Sequence, residues 1–146
     1  FLAENPDHRQ QLVDDPALIP DAVDELLRRY SIVSTARKVL KDIEIGGVTM
    51  REGDKVIVEM CMHALDENEY EDPMTVKFDR CPRNIPSFGA GPHKCVGMNL
   101  ARNELRALLE EWLKRIPNFG ITQGKTVTTM TGQNIGIHEL PLSWAN

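Results

Sequence analysis

No stretch of this 146-residue chain approaches the about 18 to 20 consecutive apolar residues that a membrane-spanning helix needs. The N-terminus also lacks the basic, apolar and small-residue order of a secretory signal. There is no basic excess: 17 Lys and Arg stand against 22 Asp and Glu, a formal charge of -5. A broad nucleic-acid surface needs clustered Lys and Arg, so this balance argues against one and leaves room only for a local basic patch. The three cysteines, Cys61, Cys81 and Cys95, include no C-x-x-C pair, and an odd number of thiols makes a poor disulfide framework. No internal repeat or low-complexity tract is present. Together these absences predict a soluble cytoplasmic protein, bound neither to membrane nor to nucleic acid.

The length suffices for one compact domain with a sizeable core. The chain opens at Phe1-Leu2-Ala3 without an initiator Met, in what reads as the last turn of a helix interrupted by Asn5-Pro6, so its beginning is expected to lie upstream. Residues 7 to 13 predict a short helix. Asp14-Asp15-Pro16 and then Pro20-Asp21 supply helix-start signals. Ala22, Val23, Leu26, Leu27 and Tyr30 fall along one side at helical spacing, with Asp24, Arg28 and Arg29 on the other, which predicts an amphipathic helix over residues 21 to 30. From Val39 short β-branched runs follow at 43–45, 48–50 and 55–60, punctuated by Gly46-Gly47 and Gly53-Asp54, and predict a small antiparallel sheet. Residues 64 to 87 are rich in turn formers without periodicity and predict a long ordered loop. A second helix is expected from about Val96 to Arg115, with Leu100, Leu105, Leu108, Leu109, Trp112 and Leu113 on a wide apolar face and Pro117 ending it. Short β-prone pieces from Ile121 to Trp144 predict hairpins.

The most informative segment is Phe88-Gly89-Ala90-Gly91-Pro92-His93-Lys94-Cys95-Val96-Gly97, which brings a thiol through a constrained loop to the start of the long helix. Backbone N–H groups and the helix dipole at such a place favour an anionic sulfur suited to metal ligation. Gly91 and Gly97 permit close backbone approach to a flat, bulky partner. A single cysteine is more often a small buried hydrophobe. Here, however, Phe88, Gly91, Cys95 and Gly97 match all four fixed positions of Phe-x-x-Gly-x-x-x-Cys-x-Gly, and this segment resembles the haem-binding motif of the cytochromes P-450. Glu25-Leu26-Leu27-Arg28 resembles the Glu-x-x-Arg motif of the same family. An acid and a base at i and i+3 are usually a solvated pair. In the family the pair is buried and joined by an Arg ahead of the haem motif, which corresponds to Arg80 in Phe78-Asp79-Arg80. Ile116-Pro117-Asn118-Phe119 and Leu140-Pro141-Leu142 are similar to the soluble bacterial camphor-hydroxylase type.

The resemblance covers essentially the whole chain. It implies a mainly α fold with a small antiparallel β-sheet, residues 1–146 forming the C-terminal haem-binding portion of a single larger domain whose N-terminal portion, with the central helix that delivers protons, is absent. It makes Cys95 the axial thiolate of the iron of haem b, and Glu25, Arg28 and Arg80 a structural triad. Backbone N–H groups around Val96 and Gly97 are expected to hydrogen-bond the sulfur. Arg37 and His93 correspond to propionate-binding positions, as cationic donors suit a carboxylate. Phe88 is expected to pack beside the thiolate, and Thr35 stands where the camphor type has an acid near a propionate. Ile32, Val33, Gln133 and Asn134 occupy positions placed over the distal haem face, and Val33, Gln133 and Asn134 are the candidate substrate contacts. Val33 serves equally as core, and Gln133 and Asn134 equally as turn residues.

The implied function is a monooxygenase inserting one oxygen atom from O2 into a small hydrophobic, terpenoid-like substrate. Electrons are expected from an iron-sulfur ferredoxin served by an NAD(P)H reductase, with Lys94, Arg102 and Arg106 near the docking side. Two other readings stay open: a peroxide-using or rearranging haem-thiolate enzyme, and a non-catalytic haem-binding fragment. This portion alone is expected to be inactive.

Overall fold

The structure is a computed structural model that describes residues 1–80, 82, 85–132 and 134–145. Its helices are α1 (Pro6–Asp14), α2 (Ile19–Arg29), α3 (Met60–Ala64) and α4 (Met98–Arg115). Its strands are β1 (Ser34–Lys38), β2 (Ile43–Ile45), β3 (Val48–Met50), β4 (Lys55–Glu59), β5 (Phe119–Ile121), β6 (Thr128–Met130), β7 (Gly136–Glu139) and β8 (Leu142–Trp144). They pair as four antiparallel two-stranded ladders, β1 with β4, β2 with β3, β5 with β8 and β6 with β7. The expected single sheet over residues 43–60 is thus divided. The β2–β3 hairpin closes on itself through Gly46 and Gly47, both at positive φ (58° and 79°) as a two-residue hairpin turn demands, while β4 leaves it to pair with β1.

The helix boundaries follow local chemistry. The Asp15 carboxylate accepts a hydrogen bond from the Ala17 amide, and a single 3-10 turn over Pro16–Leu18 runs directly into α2, which therefore begins two residues before Asp21. At the other end of the chain α4 carries Lys114 and Arg115 in its last turn, where cations complement the C-terminal dipole. It ends at Ile116, which the following Pro117 pushes out of helical geometry (φ -131°, ψ 68°). Its start lies at Met98, two residues later than the sequence periodicity predicts.

The core gathers Leu2, Leu12, Ile19, Ala22, Val23, Val76, Phe78 and Leu113 from the N-terminal turn, α1, α2, α4 and the long loop. Arg9 fastens the N-terminal turn to this core: it donates to the carbonyls of Leu2 (2.8 Å) and Pro117 (3.1 Å) and lies over the Phe119 ring. On α2 the buried face is not the purely apolar one that spacing predicts. Tyr30 is exposed, whereas Glu25 and Arg28, the latter expected on the polar side, are fully buried.

Burial of those two charges is made tolerable by complete pairing. Arg28 grips Glu25 through both Nε (2.7 Å) and Nη2 (2.8 Å), a bidentate arrangement. Its Nη1 donates to the carbonyls of Ala64 and Pro73, and its guanidinium lies over the Tyr70 ring. The Lys77 amide and Arg80 Nε both donate to Glu25 Oε1 (3.0 and 3.1 Å). Arg80 also donates to the carbonyls of Glu71, Asp72 and Thr75. The aperiodic segment after α3 is therefore ordered by main-chain carbonyls wrapped around two guanidinium groups.

Burial pushes the Glu25 carboxyl up, but the hydrogen bonds from Arg28, the Lys77 amide and Arg80, with the charge of Arg28, outweigh it and hold the group below the usual Glu range. A carboxyl so depressed contributes stability that is complete above the ordinary Glu value and is lost as pH falls through the lower folded-state value. Arg28→Ala, which strands the Glu25 charge, is expected to cost about 3–5 kcal/mol by urea denaturation of the intact protein. In the Arg28→Ala background, Glu25→Gln is expected to recover part of that loss and to flatten the acid limb of the stability profile.

Candidate functional site

The segment leaving the Arg80 clamp passes through Ile85, Pro86 and Phe88, all buried, in a short 3-10 turn at Pro86–Phe88. The Ser87 hydroxyl donates to the Leu27 carbonyl and anchors this turn to α2. Gly89 follows at φ 67°, ψ -168°, a region open essentially to glycine alone. A second 3-10 turn over Gly91–His93 begins at another positive φ. The loop closes when the Cys95 amide donates to the Phe88 carbonyl at 2.9 Å, and the Lys94 amide donates to Gly91 at 3.1 Å. Cys95 is thus held next to Phe88, three residues ahead of α4, as an exposed free thiol. Among the described residues, the amides of Val96 and Gly97 donate to no backbone partner. A Cβ at Gly97 would sit 3.8 Å from the Cys95 sulfur, the position where added bulk first meets it.

The opposite wall comes from β1. Residues two apart share one face of a strand, and Val33, Thr35 and Arg37 all line a cavity of about 890 Å³ together with Val58, Met60, His63, Ile85, Phe88, His93 and Cys95. Arg37 commits Nη1 to the Ala36 carbonyl, and His93 stands exposed on the loop side. The Thr35 Oγ1 is buried without a hydrogen-bond partner among the described residues. Phe88 is buried, with the Arg102 guanidinium carbon 5.3 Å from its ring centroid.

The structure therefore brings Cys95, His93, Phe88, Arg37 and Val33 to one cavity, while Glu25, Arg28 and Arg80 meet behind it. Gly97 lies beside the sulfur. Asn134 forms a β-bridge with Val33, and the Ile135 amide donates to Ile32, so the turn reaches the cavity rim, but among the described residues Asn134 is not on its wall. Gln133 lies outside the described residues. Arg102 departs from the expected solvent-facing patch: its Nε is 2.8 Å from Asp24 Oδ1, and with the Phe88 contact it ties α4 to α2 and to the loop. Arg106 is half-buried as well, which leaves Lys94 as the exposed cation of the three. Sequence reasoning missed β1 itself, and with it Val58, Met60 and His63, because Ser-Thr-Ala-Arg-Lys carries no strand signal of its own.

Among the described residues no three His, Cys, Asp or Glu side chains cluster to hold a bare metal ion. One thiol, cationic side chains at the edge and an apolar wall suit instead a flat anionic group that carries its own metal. The donor set fits haem: Cys95 to the iron, Arg37 and His93 to carboxylates, and Val33, Val58 and Phe88 to the macrocycle. No helix among the described residues is long and apolar enough to cross a membrane.

Comparison with known proteins identifies the family. The family model Cytochrome P-450 matches residues 4–145. Probable cytochrome P-450 127A1 of Sinorhizobium fredii is 42% identical over 145 residues, 99% of this chain and 35% of the relative. The 20-oxo-5-O-mycaminosyltylactone 23-monooxygenase of Streptomyces fradiae is 36% identical over 146 residues, 98% of this chain and 35% of the relative. The crystal structure of cytochrome P-450 CYP101C1 superposes with a TM-score of 0.92 at 40% identity, covering 99% of this chain and 38% of that one. The chain thus spans 35% of the length of these two curated relatives.

The two glycines flanking the thiol loop are predicted to respond differently. Gly89→Ala forces an L residue into a region that costs about 1–3 kcal/mol. Gly97→Ala, at φ -82° and in ordinary contact distance of the sulfur, is expected to stay within about 0.5 kcal/mol of the parent. Denaturant midpoints of the two variants of the intact protein check the difference.

Proposed function

Because this chain belongs to the cytochrome P-450 family, we propose that it contributes the thiolate-side wall of a haem b monooxygenase, with Cys95 as the axial ligand. The observation that carries this reading is the convergence of Cys95, His93, Arg37 and Val33 on a single cavity of about 890 Å³. When bound there, haem supplies reductive activation of O2, one oxygen atom entering a substrate C–H bond and the other leaving as water with two electrons and two protons consumed.

The chain's own residues do the positioning. The Phe88 carbonyl fixes the Cys95 backbone, and the unshared amides of Val96 and Gly97 are the donors that tune the sulfur. Arg37 and His93 hold the two propionates by charge-assisted hydrogen bonds. Phe88 excludes water beside the thiolate, and Arg102 stacked on its ring keeps it there. The Glu25, Arg28 and Arg80 network fixes the loop that carries the ligand relative to α2.

Val33, with Asn134 at the rim, forms the substrate-facing part of this portion, and together with Gln133, the preceding residue in sequence, it favours a small hydrophobic, terpenoid-like molecule bearing an oxygen. A relative bearing the name monooxygenase supports oxygen insertion as the reaction class. Electrons come from an iron-sulfur ferredoxin reduced by an NAD(P)H reductase, and the exposed Lys94 beside the thiolate is the charge that meets an acidic partner.

The test is the spectrum of the reduced, carbon-monoxide-bound holoprotein. The parent is expected to show the shifted Soret band that gives the family its name. Cys95→His is expected to retain haem and lose that band; its persistence would remove Cys95 as the ligand. Arg37→Ala and His93→Ala are each expected to weaken haem retention about tenfold, in line with loss of a hydrogen bond to a charged group.

A further inference from the structure

Arg102 carries a charge that is turned toward the thiol loop. It stands in the second turn of α4, with its side chain 20% exposed. Its guanidinium lies over the Phe88 ring, Cζ 5.3 Å from the centroid, while Nε donates to the Asp24 carboxylate at 2.8 Å. Among the described residues Nη1 and Nη2 have no acceptor, so the pair is a single contact, unlike the two-point grip of Arg28 on Glu25. Asp24 therefore leaves much of the cation's field uncompensated on the side of Phe88.

Phe88 brings that cation close to the sulfur. The ring is buried, the Phe88 carbonyl accepts from the Cys95 amide at 2.9 Å, and Phe88 and Cys95 line the same cavity of about 890 Å³. Neither Arg102 nor Asp24 lines that cavity, so their reach into it is through the electric field and not through contact. A buried aromatic wall excludes the water that would otherwise screen the field. A nearby cation favours the more negative state of a site, and a nearby anion opposes it. Adding one electron makes the thiolate site one unit more negative. Arg102 touches Phe88 directly and Asp24 reaches it only through Arg102, so the cation dominates and the carboxylate moderates it.

Resting on the haem-thiolate reading above, we propose that Arg102 and Asp24 form an opposed charge pair that sets the reduction potential of the site. Arg102 is a positioning residue: it holds a positive charge against Phe88 and stabilises the reduced state. Asp24 offsets part of that charge. Neither residue is a ligand to the iron.

Stepwise titration of the intact holoprotein with dithionite, which supplies the electron without turnover, reads the midpoint potential. Arg102→Gln removes the cation and is expected to shift the midpoint to a more negative value. Asp24→Asn removes the opposing carboxylate and is expected to shift it to a more positive one. Both substitutions break the same ion pair, so a purely mechanical brace predicts shifts of one sign or none, and either of those results would overturn the proposal. Arg102→Lys keeps the charge and is expected to restore most of the parental midpoint; a value equal to that of Arg102→Gln would also overturn it. Where Arg102→Gln does not fold, the Asp24→Asn shift decides alone, a positive shift supporting the pair and a zero or negative one overturning it. The reduced carbonyl spectrum of the parent separates this outcome from the reading beneath it: a parent without the thiolate-type band would overturn the haem-thiolate reading, and the charge pair with it.

Discussion

The path of the chain into the thiol loop depends on one buried carboxylate. Glu25 is fully enclosed, and an isolated charge in that position would cost far more than any packing returns. It is tolerated because two guanidinium groups and a main-chain amide saturate it. The guanidinium groups in turn have donors to spare, and those donors collect the carbonyls of Ala64, Pro73, Glu71, Asp72 and Thr75. A segment with no hydrophobic periodicity is thereby given a fixed path. The ion network does not add much net stability against an apolar replacement of equal volume; what it does is define where residues 64 to 80 run, and so where the thiol loop begins.

From that fixed origin the loop is built by a different kind of constraint. Gly89 adopts a backbone region closed to other residues, and Gly91 a left-handed one. These two reversals allow the Cys95 amide to return to the Phe88 carbonyl. The sulfur ends up exposed at a cavity rather than packed in the core. Arg102 links the two constraints: paired with Asp24 on α2 and stacked on Phe88, it locks the start of α4 to the helix that carries Glu25. A charge that periodicity assigns to solvent thus serves as a brace between helices.

The extent to which this was legible in the sequence varied with the kind of signal. The two long helices, the Gly46-Gly47 hairpin and the thiol loop each announce themselves by spacing within about 10 to 18 residues, the range over which periodicity and turn chemistry act. The family resemblance rested on residues that the structure gathers at one cavity and one buried network. Strand β1 escaped notice because Ser-Thr-Ala-Arg-Lys has neither the apolar alternation nor the β-branched density of a strand. Its conformation is set by pairing with β4, which begins only at Lys55 beyond the whole β2–β3 hairpin, and no local window contains that information. The same limit explains Arg28: its spacing assigns it to the polar side of α2, and only partners 36 to 47 residues distant reverse that.

The apolar stripe of α4 shows the converse limit. Of the six residues on it, Leu113 is buried, whereas Leu100 is 64% and Leu108 55% exposed. Leu105, Leu109 and Trp112 pack half-buried against the core, and with Leu108 they line an open apolar groove of about 590 Å³ shared with Leu26, Leu27 and Tyr30 of the α2 side. Periodicity reports which side of a helix is apolar, not what lies against it. The helix has its charged brace, Arg102, near the thiol and its buried leucine at the far end, so both ends of α4 are held while the stripe between them is covered only in part. Position at the cavity is set at the N-terminal end of the helix. It depends on Asp24, Phe88 and the Glu25 network, all of which lie within this chain.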